Sequence, residues 1–308
     1  MSDSGFPLID VSLWEVDAGE PGGRDEKVWL IQPETEDKWL FKPPVEKNGF
    51  RQGEDWSEKV SAHLAEAISV PCAQVELATR VGRQGSLSKN LRPEGWDMQP
   101  GSLLLGASID GYQPGSLNIK GRPGHSLRNI ATALRDADQP LGSTVPRDFT
   151  AFDVFAGYLV LDAWIANRDR HDENWSILLP GPAYQDERRR LCGSYDQASG
   201  LGYNVREAVC SRLLAEPGGV LRWVTKGTAY RFEFDPSKRP ATLVELAGQA
   251  LRMAGDQTRR YWVAQVEGVR QEDVEQLVQS VPGLSVACRT FVSEVLRINQ
   301  ERVLDVCS

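Results

Sequence analysis

The chain has 308 residues and carries 35 lysine and arginine residues against 43 aspartate and glutamate residues, a formal net charge of −8. This length suits one large domain or two packed lobes, and an acidic chain with no long basic run disfavours nucleic acid as a direct partner. Five scattered cysteines without a Cys-x-x-Cys pair, and only three histidines, argue against a disulfide framework and against a multi-histidine metal centre.

No apolar segment is long enough to span a bilayer, and the first residues do not form a signal peptide. We therefore predict no membrane contact and a cytoplasmic location. The sequence carries no signal for an oligomeric state.

Residues 7–15 and 27–32 are predicted strands, and the turn-rich residues 17–24 connect them. Gly22 and Gly23 in this connection leave backbone N–H groups free to approach phosphate oxygens closely. The alternative is a plain hairpin turn. No G-x-x-x-x-G-K-[ST] motif occurs, so a P-loop is not predicted.

The next predicted strand, residues 39–44, carries Lys42, and a predicted helix over 55–68 follows with Ser57 as its N-cap. A lysine at the end of a strand can reach nucleotide phosphates, and in kinases a helix glutamate pairs with that lysine. Glu58, predicted in the first helical turn, is the candidate partner of Lys42. Its alternative role is to complement the helix dipole.

Two further strands are predicted at residues 73–78 and 101–107. The second would lie where two lobes meet and would offer backbone groups to an adenine edge. A helix with one apolar stripe is predicted over residues 126–137, and its stripe is typical of core packing.

Residues 149–165 are hydrophobic almost all round and predict a buried helix, which is followed by a polar loop and a short strand at 175–179. A second extended run covers residues 190–195. Antiparallel pairing of these two strands would bring Asn174, before the first, close to Asp196, after the second.

Asp169 and Asn174 are five positions apart, and Asp196 lies beyond the predicted hairpin. Protein kinases use this arrangement, with a catalytic-loop aspartate and with an asparagine and a second aspartate that hold Mg²⁺. An amide oxygen and a carboxylate suit Mg²⁺, which prefers hard oxygen ligands. The alternative is a solvated loop whose charges cap a strand. Four more helices, over 243–253, 258–266, 272–281 and 286–306, have the spacing of packing elements.

Taken in order, these segments resemble the HipA-like serine/threonine kinases, an atypical bacterial group. The matching segments are Gly22-Gly23-Arg24-Asp25-Glu26-Lys27, Leu40-Phe41-Lys42-Pro43, the helix from Glu58 to Ala65, Asp169-Arg170-His171-Asp172-Glu173-Asn174, and Tyr195-Asp196 with Ser199-Gly200-Leu201-Gly202. The resemblance spans about residues 15 to 205. It implies an α+β, two-lobed protein kinase-like fold, with a β-rich N-lobe over residues 1–107 and a mainly helical C-lobe over residues 108–308.

The resemblance also implies roles for individual residues. Asp169 would accept the proton of the substrate hydroxyl, while Asn174 and Asp196 would hold Mg²⁺. ATP would be bound by Lys42, positioned by Glu58, and by the loop with Gly22, Gly23 and Lys27. Arg170 and His171 would steady the catalytic loop or the developing charge, with a structural hydrogen bond favoured over proton transfer for His171.

Two loop positions depart from the family pattern. Asp25 stands where glutamine is usual, and Glu20 stands where the toxin members carry the serine that is autophosphorylated. We also expect no separate small N-terminal domain before residue 7. These departures weaken the inference to a toxin, although an antitoxin or regulatory protein stays a candidate partner beside a protein substrate. The alternatives are a kinase of a lipid head group or small molecule, and a nucleotide-binding pseudokinase or scaffold.

Overall fold

The computed structural model describes residues 5–19, 27–114 and 119–307, so the predicted loop at Gly22 and Gly23, with Glu20 and Asp25, lies outside the described residues. The strands are β1 Leu8–Asp10, β2 Glu15–Gly19, β3 Val28–Ile31, β4 Lys38–Lys42, β5 Glu46–Lys47, β6 Phe50–Arg51, β7 Val75–Arg80, β8 Arg83–Lys89, β9 Trp96–Pro100, β10 Ser176–Pro180 and β11 Arg190–Leu191. The helices are α1 Glu54–Ala67, α2 Gly101–Ser108, α3 Leu127–Ala133, α4 Ala151–Trp164, α5 Glu207–Ala215, α6 Gly219–Thr225, α7 Leu243–Ala254, α8 Asp256–Glu267, α9 Gln271–Gln279 and α10 Val286–Cys307.

The N-terminal half forms a six-stranded sheet in the order β1-β7-β8-β4-β3-β2, in which only the β1–β7 pair is parallel. Leu30, Trp39, Phe41 and Leu87 are buried on one face of this sheet, where alternation along β4 puts every second side chain in the core. Helix α1 packs on β7 and β8. This arrangement fixes Lys42, the last residue of β4, relative to the helix that carries Glu58.

A smaller sheet in the order β11-β10-β9 joins the two halves of the chain. The antiparallel pairing of Ile177 with Leu191 and of Leu178 with Arg190 is the hairpin that the sequence predicts. Strand β9 pairs with the other edge of β10. The segments before β10 and after β11 therefore emerge at the same end of the hairpin.

The centre of the helical half is α4, all 14 residues of which are buried. A capping box between Thr150 and Asp153 begins the helix. Its far end is held by α10, because the Trp164 indole donates to Leu296 O at 3.1 Å and Asn299 Nδ2 donates to Trp164 O at 3.1 Å. The loop that follows α4 therefore starts from a rigid base.

Three local predictions are wrong. The single strand predicted over residues 7–15 is divided into β1 and β2, and β2 extends to Gly19, into the predicted connection. Residues 101–107 are not a strand but belong to helix α2, where the N–H groups of Gly101 and Ser102 are bonded to Trp175 O and Asp172 O. Ser57 is not an N-cap, because α1 begins at Glu54 after Gly53, and Glu58 consequently follows the first turn. The Ser57 hydroxyl instead donates to Gly200 O at 3.0 Å.

The predicted fold class is confirmed, with a β-rich N-terminal region and a mainly helical C-terminal region. The four predicted C-terminal helices correspond to α7 through α10. All five cysteines are free thiols, as expected. Within the described ranges, no helix has the length and apolar character needed to cross a membrane.

Candidate functional site

The loop after α4 is built around a buried ion pair. Asp162, in the last turn of α4, accepts hydrogen bonds from Arg170 Nε at 2.8 Å, Arg170 Nη2 at 2.8 Å and Asn167 Nδ2 at 2.7 Å. Asp162 and Arg170 are both 2 % exposed. A buried arginine needs such a forked partner, because an unpaired charge in the core is costly. Arg170 therefore has a structural position in the loop.

The same hydrogen-bond network positions Asp169 and Asn174, the two polar residues that the sequence analysis singles out in this loop. Arg170 Nη1 donates to Asn174 O at 2.9 Å, and Asn174 Nδ2 donates to Asp169 O at 2.9 Å. The N–H of Asp169 donates to Asn167 Oδ1 at 3.1 Å. Since the amide nitrogen of Asn174 is occupied inside the loop, its side-chain oxygen is the atom left for a ligand outside it.

His171 lies inside this loop and forms the kind of hydrogen bond that the sequence analysis favours. Its Nδ1 accepts from Glu173 N at 3.2 Å, so Nδ1 carries no proton in this arrangement. Burial lowers the pKa of His171 below its usual value. The neutral ring thus caps the turn that leads to Asn174.

Tyr195 bonds to the residues that flank Asn174 and Trp175. The Tyr195 hydroxyl donates to Glu173 O at 2.9 Å and lies 2.6 Å from Ser176 Oγ, so it bonds to the residues on either side of the Asn174–Trp175 pair. Asp196, the next residue, has φ of +59°, in the left-handed region. The structure therefore joins the end of the loop that carries Asn174 to the segment that carries Asp196.

The side chain of Lys42, at the end of β4, contacts Asp196, and its Nζ lies 3.0 Å from Asp196 Oδ1. The side chains are 19 % and 35 % exposed, so the pair is reachable from solvent. The charge of Lys42 is the main cause that lowers the pKa of Asp196, and the charge of Lys27 adds to it. Lys27, described just before β3, thus acts electrostatically on the same carboxylate.

Glu58 lies behind this pair and is 1 % exposed. Ser86 Oγ and Ser88 Oγ donate to its two carboxylate oxygens at 3.1 and 3.3 Å. Burial raises the pKa of Glu58, and the positive charge of Lys42 opposes that rise. The predicted companion of Lys42 is therefore electrostatically coupled to it inside the sheet–helix interface.

Sequence reasoning missed the partner of Asp169. Arg231 binds Asp169 Oδ1 through Nε at 2.8 Å and through Nη2 at 2.6 Å. Arg231 is 62 residues further along the chain, in an irregular segment before α7, where no periodicity or motif marks it. By contrast, Asp162 could have been found, because a carboxylate in an otherwise apolar helix requires a buried partner.

A second missed cluster holds the loop from the opposite side. Asp172, with no exposed surface, accepts from Arg122 Nη2 at 2.8 Å and from the Tyr112 hydroxyl. The Tyr112 hydrogen bond and the charge of Arg122 help to lower the pKa of Asp172 against its burial. These contacts tie the loop to the connection between α2 and α3.

Comparison with known proteins identifies the fold. No protein-family model matches the chain, and no curated protein matches its sequence. The crystal structure of the Helicobacter pylori proinflammatory kinase CtkA is similar to this chain, with a TM-score of 0.76 at 15 % identity over 98 % of this chain and 97 % of CtkA. HipA of Shewanella oneidensis, from a complex with HipB and operator DNA, is similar with a TM-score of 0.54 at 13 % identity over 96 % of this chain and 66 % of HipA. The chain therefore has a HipA-like, kinase-like fold, as its motifs predict.

Proposed function

We propose that the chain is an ATP- and Mg²⁺-dependent phosphotransferase that transfers the γ-phosphate of ATP to a serine or threonine hydroxyl of a protein. The observation that carries the proposal is the contact between Lys42 and Asp196, whose side chains lie 3.0 Å apart although the residues are 154 positions apart in the chain. A strand lysine that faces a carboxylate able to hold a metal ion supports a site for phosphoryl transfer. The kinase-like fold supports the same reading.

The residues present suit a divalent cation. Asp196 is a partly exposed carboxylate whose pKa is lowered, so it is ionised at neutral pH. Asn174 keeps its amide oxygen for a ligand because its nitrogen is bonded to Asp169 O. When bound, Mg²⁺ would neutralise charge on the phosphates of ATP, and these two side chains would hold it.

In the proposed reaction, Asp169 orients the acceptor hydroxyl and receives its proton. The hydroxyl oxygen forms a bond to the γ-phosphorus while the bond from that phosphorus to the β,γ-bridging oxygen breaks, and ADP leaves with the bonding electrons. Lys42 binds the nucleotide phosphates and is held in place by the charge of Glu58. Because the protein forms no covalent bond in this step, its contribution is placement and charge stabilisation. Arg170 and His171 act by fixing the loop. We further propose that the backbone N–H groups of Gly22 and Gly23 and the side chain of Lys27 bind the phosphates of ATP.

The test is label transfer from γ-labelled ATP with Mg²⁺ into the proteins of a cell extract. Wild-type protein should label protein, and Asp169→Asn should lose at least about 100-fold of that activity. Asp186→Asn, which changes an exposed carboxylate far from the cleft, is the matched control and should keep it. Label found only in lipid or small molecules would overturn the protein substrate, and binding of ATP without any turnover would leave a pseudokinase.

A regulatory partner is part of the proposal, since the similar HipA was crystallised with HipB. Co-purification of the tagged chain from its native host should recover a small protein encoded beside it. Recovery of the chain alone, at native expression, would remove the partner from the proposal.

A further inference from the structure

A pair of loops forms a support beside the catalytic loop. Phe234 N donates to Gly121 O at 2.9 Å, and Glu233 N donates to His125 O at 2.8 Å. His125 Nδ1 lies 2.7 Å from Arg231 O. These bonds align residues 121–125 with residues 231–234, and they fix the backbone from which Arg231 extends.

His125 locks this pairing in one protonation state. Trp175 Nε1, which can only donate, bonds to His125 Nε2 at 3.2 Å, so Nε2 is the acceptor and Nδ1 carries the proton given to Arg231 O. His125 has no exposed surface and stacks on Phe232. A buried neutral histidine thus connects the strand after the catalytic loop to the Arg231 backbone.

The Arg231 side chain approaches Asp169 in an asymmetric way. Its two N–H groups both bond to Oδ1, at 2.8 and 2.6 Å, while no described residue donates a hydrogen bond to Oδ2. The guanidinium lies over the Tyr230 ring at 4.8 Å, and its side chain is only 17 % exposed. One oxygen is therefore clamped, and the other is left to accept a hydrogen bond from an incoming hydroxyl.

We propose that Arg231 is a positioning residue for Asp169, which it holds by one carboxylate oxygen so that the second faces the acceptor hydroxyl. This inference rests on the proposed phosphotransferase function and adds to it a residue that no kinase motif contains. The side-chain amides of Asn167 and Asn174 fix the backbone of Asp169, because Asp169 N donates to Asn167 Oδ1 and Asn174 Nδ2 donates to Asp169 O. The orientation of its carboxylate, in contrast, depends on Arg231.

If the contact between Arg231 and Asp169 were only a surface ion pair, its removal would have a different effect on turnover. A solvent-exposed pair contributes little, and its loss would change stability slightly and turnover hardly at all. A clamp on the reacting carboxylate predicts a loss of turnover with unchanged nucleotide binding, because misplacement of a reacting group by about 1 Å can reduce the rate about 100-fold. The kcat of Arg231→Ala therefore distinguishes a surface ion pair from a residue that positions Asp169.

The experiment measures label transfer from ATP for wild type, Arg231→Ala, Arg231→Lys and Arg168→Ala. Arg168 is the matched control because it stacks on the same Tyr230 ring, at 5.2 Å, and makes no ion pair with Asp169. We expect kcat of Arg231→Ala to fall about 100-fold with KM for ATP changed less than about twofold. Millimolar guanidinium, but not equal ammonium or sodium chloride, should restore a measurable part of that loss.

Full turnover in Arg231→Ala, or an equal loss in Arg168→Ala, would overturn the inference while leaving the proposed function intact. Loss that guanidinium does not restore, accompanied by a weaker affinity for ATP, would also overturn it. If Arg231→Ala does not fold, Arg231→Lys decides, since a single ammonium cannot reproduce the two N–H bonds and should lose turnover with ATP affinity retained. A wild-type chain that transfers no phosphate would refute the proposed function itself, and this inference with it.

Discussion

Replacing Asp162 by asparagine should strongly lower the free energy of unfolding, because Asp162 supports the loop that follows α4. The substitution keeps the size of the side chain but leaves the guanidinium of Arg170, 2 % exposed, without its counter-charge. Removing one partner of a buried ion pair costs about 3–5 kcal/mol, a large fraction of the roughly 5–15 kcal/mol that stabilises a typical domain. We therefore expect the urea midpoint to fall, with an unchanged m-value, by an amount equivalent to about 4 kcal/mol.

The control is Glu294→Gln, which removes an exposed partner of Arg297 on α10. Loss of that exposed pair should cost under about 1 kcal/mol. A second variant, Asp162→Leu with Arg170→Met, replaces the buried pair by apolar groups and should recover stability. It should still lack activity, because Arg170 also donates to Asn174 O. An Asp162→Asn protein that unfolds within about 1 kcal/mol of wild type would refute the reasoning, since the pair would then not be balancing a buried charge.

Three further predictions test other parts of the site. Burial lowers the pKa of His125 from 6.5 to about 4. The unfolded chain therefore binds the proton first as pH falls from 6.5 to 4, and the free energy of unfolding should drop by about 3 kcal/mol more in wild type than in His125→Asn, measured by urea titration at each pH. Burial raises the pKa of Glu58, so as pH falls the activity should decrease at a pH above the ordinary pKa of glutamate. Glu58→Gln should be about 100-fold less active. Its pH–rate profile should lack this decrease at low pH. Gly101→Ala would put a Cβ 2.1 Å from the Trp175 ring and should cost about 1–3 kcal/mol in urea unfolding.

The elements that the sequence predicts well are those whose burial pattern is local. Helix α4 is apolar apart from Asp153 and Asp162, and α7 has a one-sided apolar stripe, so the sequence predicts both close to their observed bounds. The sequence predicts a strand over residues 101–107 wrongly, because a short apolar run does not distinguish a strand from a helix. Their state is set by a tertiary contact, the bonding of the Gly101 N–H to Trp175 O, which lies 74 positions away in the numbering.

The same distinction applies to the candidate site. Asp169, Asn174 and Asp196 stand at spacings that a hairpin makes meaningful, and the hairpin forms as predicted. Arg231 has no such spacing, because its place depends on loop pairing between residues 121–125 and 231–234. A side chain positioned by irregular backbone leaves no periodic trace in the sequence. The roles of all these residues stay predictions until the variants are measured.

Helix α1 links the sheet that carries Lys42 to the segment that follows Asp196. The Ser57 hydroxyl takes part in this link, which explains why Ser57 is not the predicted N-cap. Ser57 Oγ donates to Gly200 O, and Gly53 N donates to Tyr203 O, so the start of α1 is bonded to the segment that follows Asp196. The next residue, Glu58, is bonded to serines of β8. Any opening that separates Lys42 from Asp196 by moving the sheet must either carry α1 away from Gly200 or break the Glu58 contacts. Because the Ser57 and Glu58 hydrogen bonds are buried, the contact between Lys42 and Asp196 and the position of Glu58 are energetically coupled.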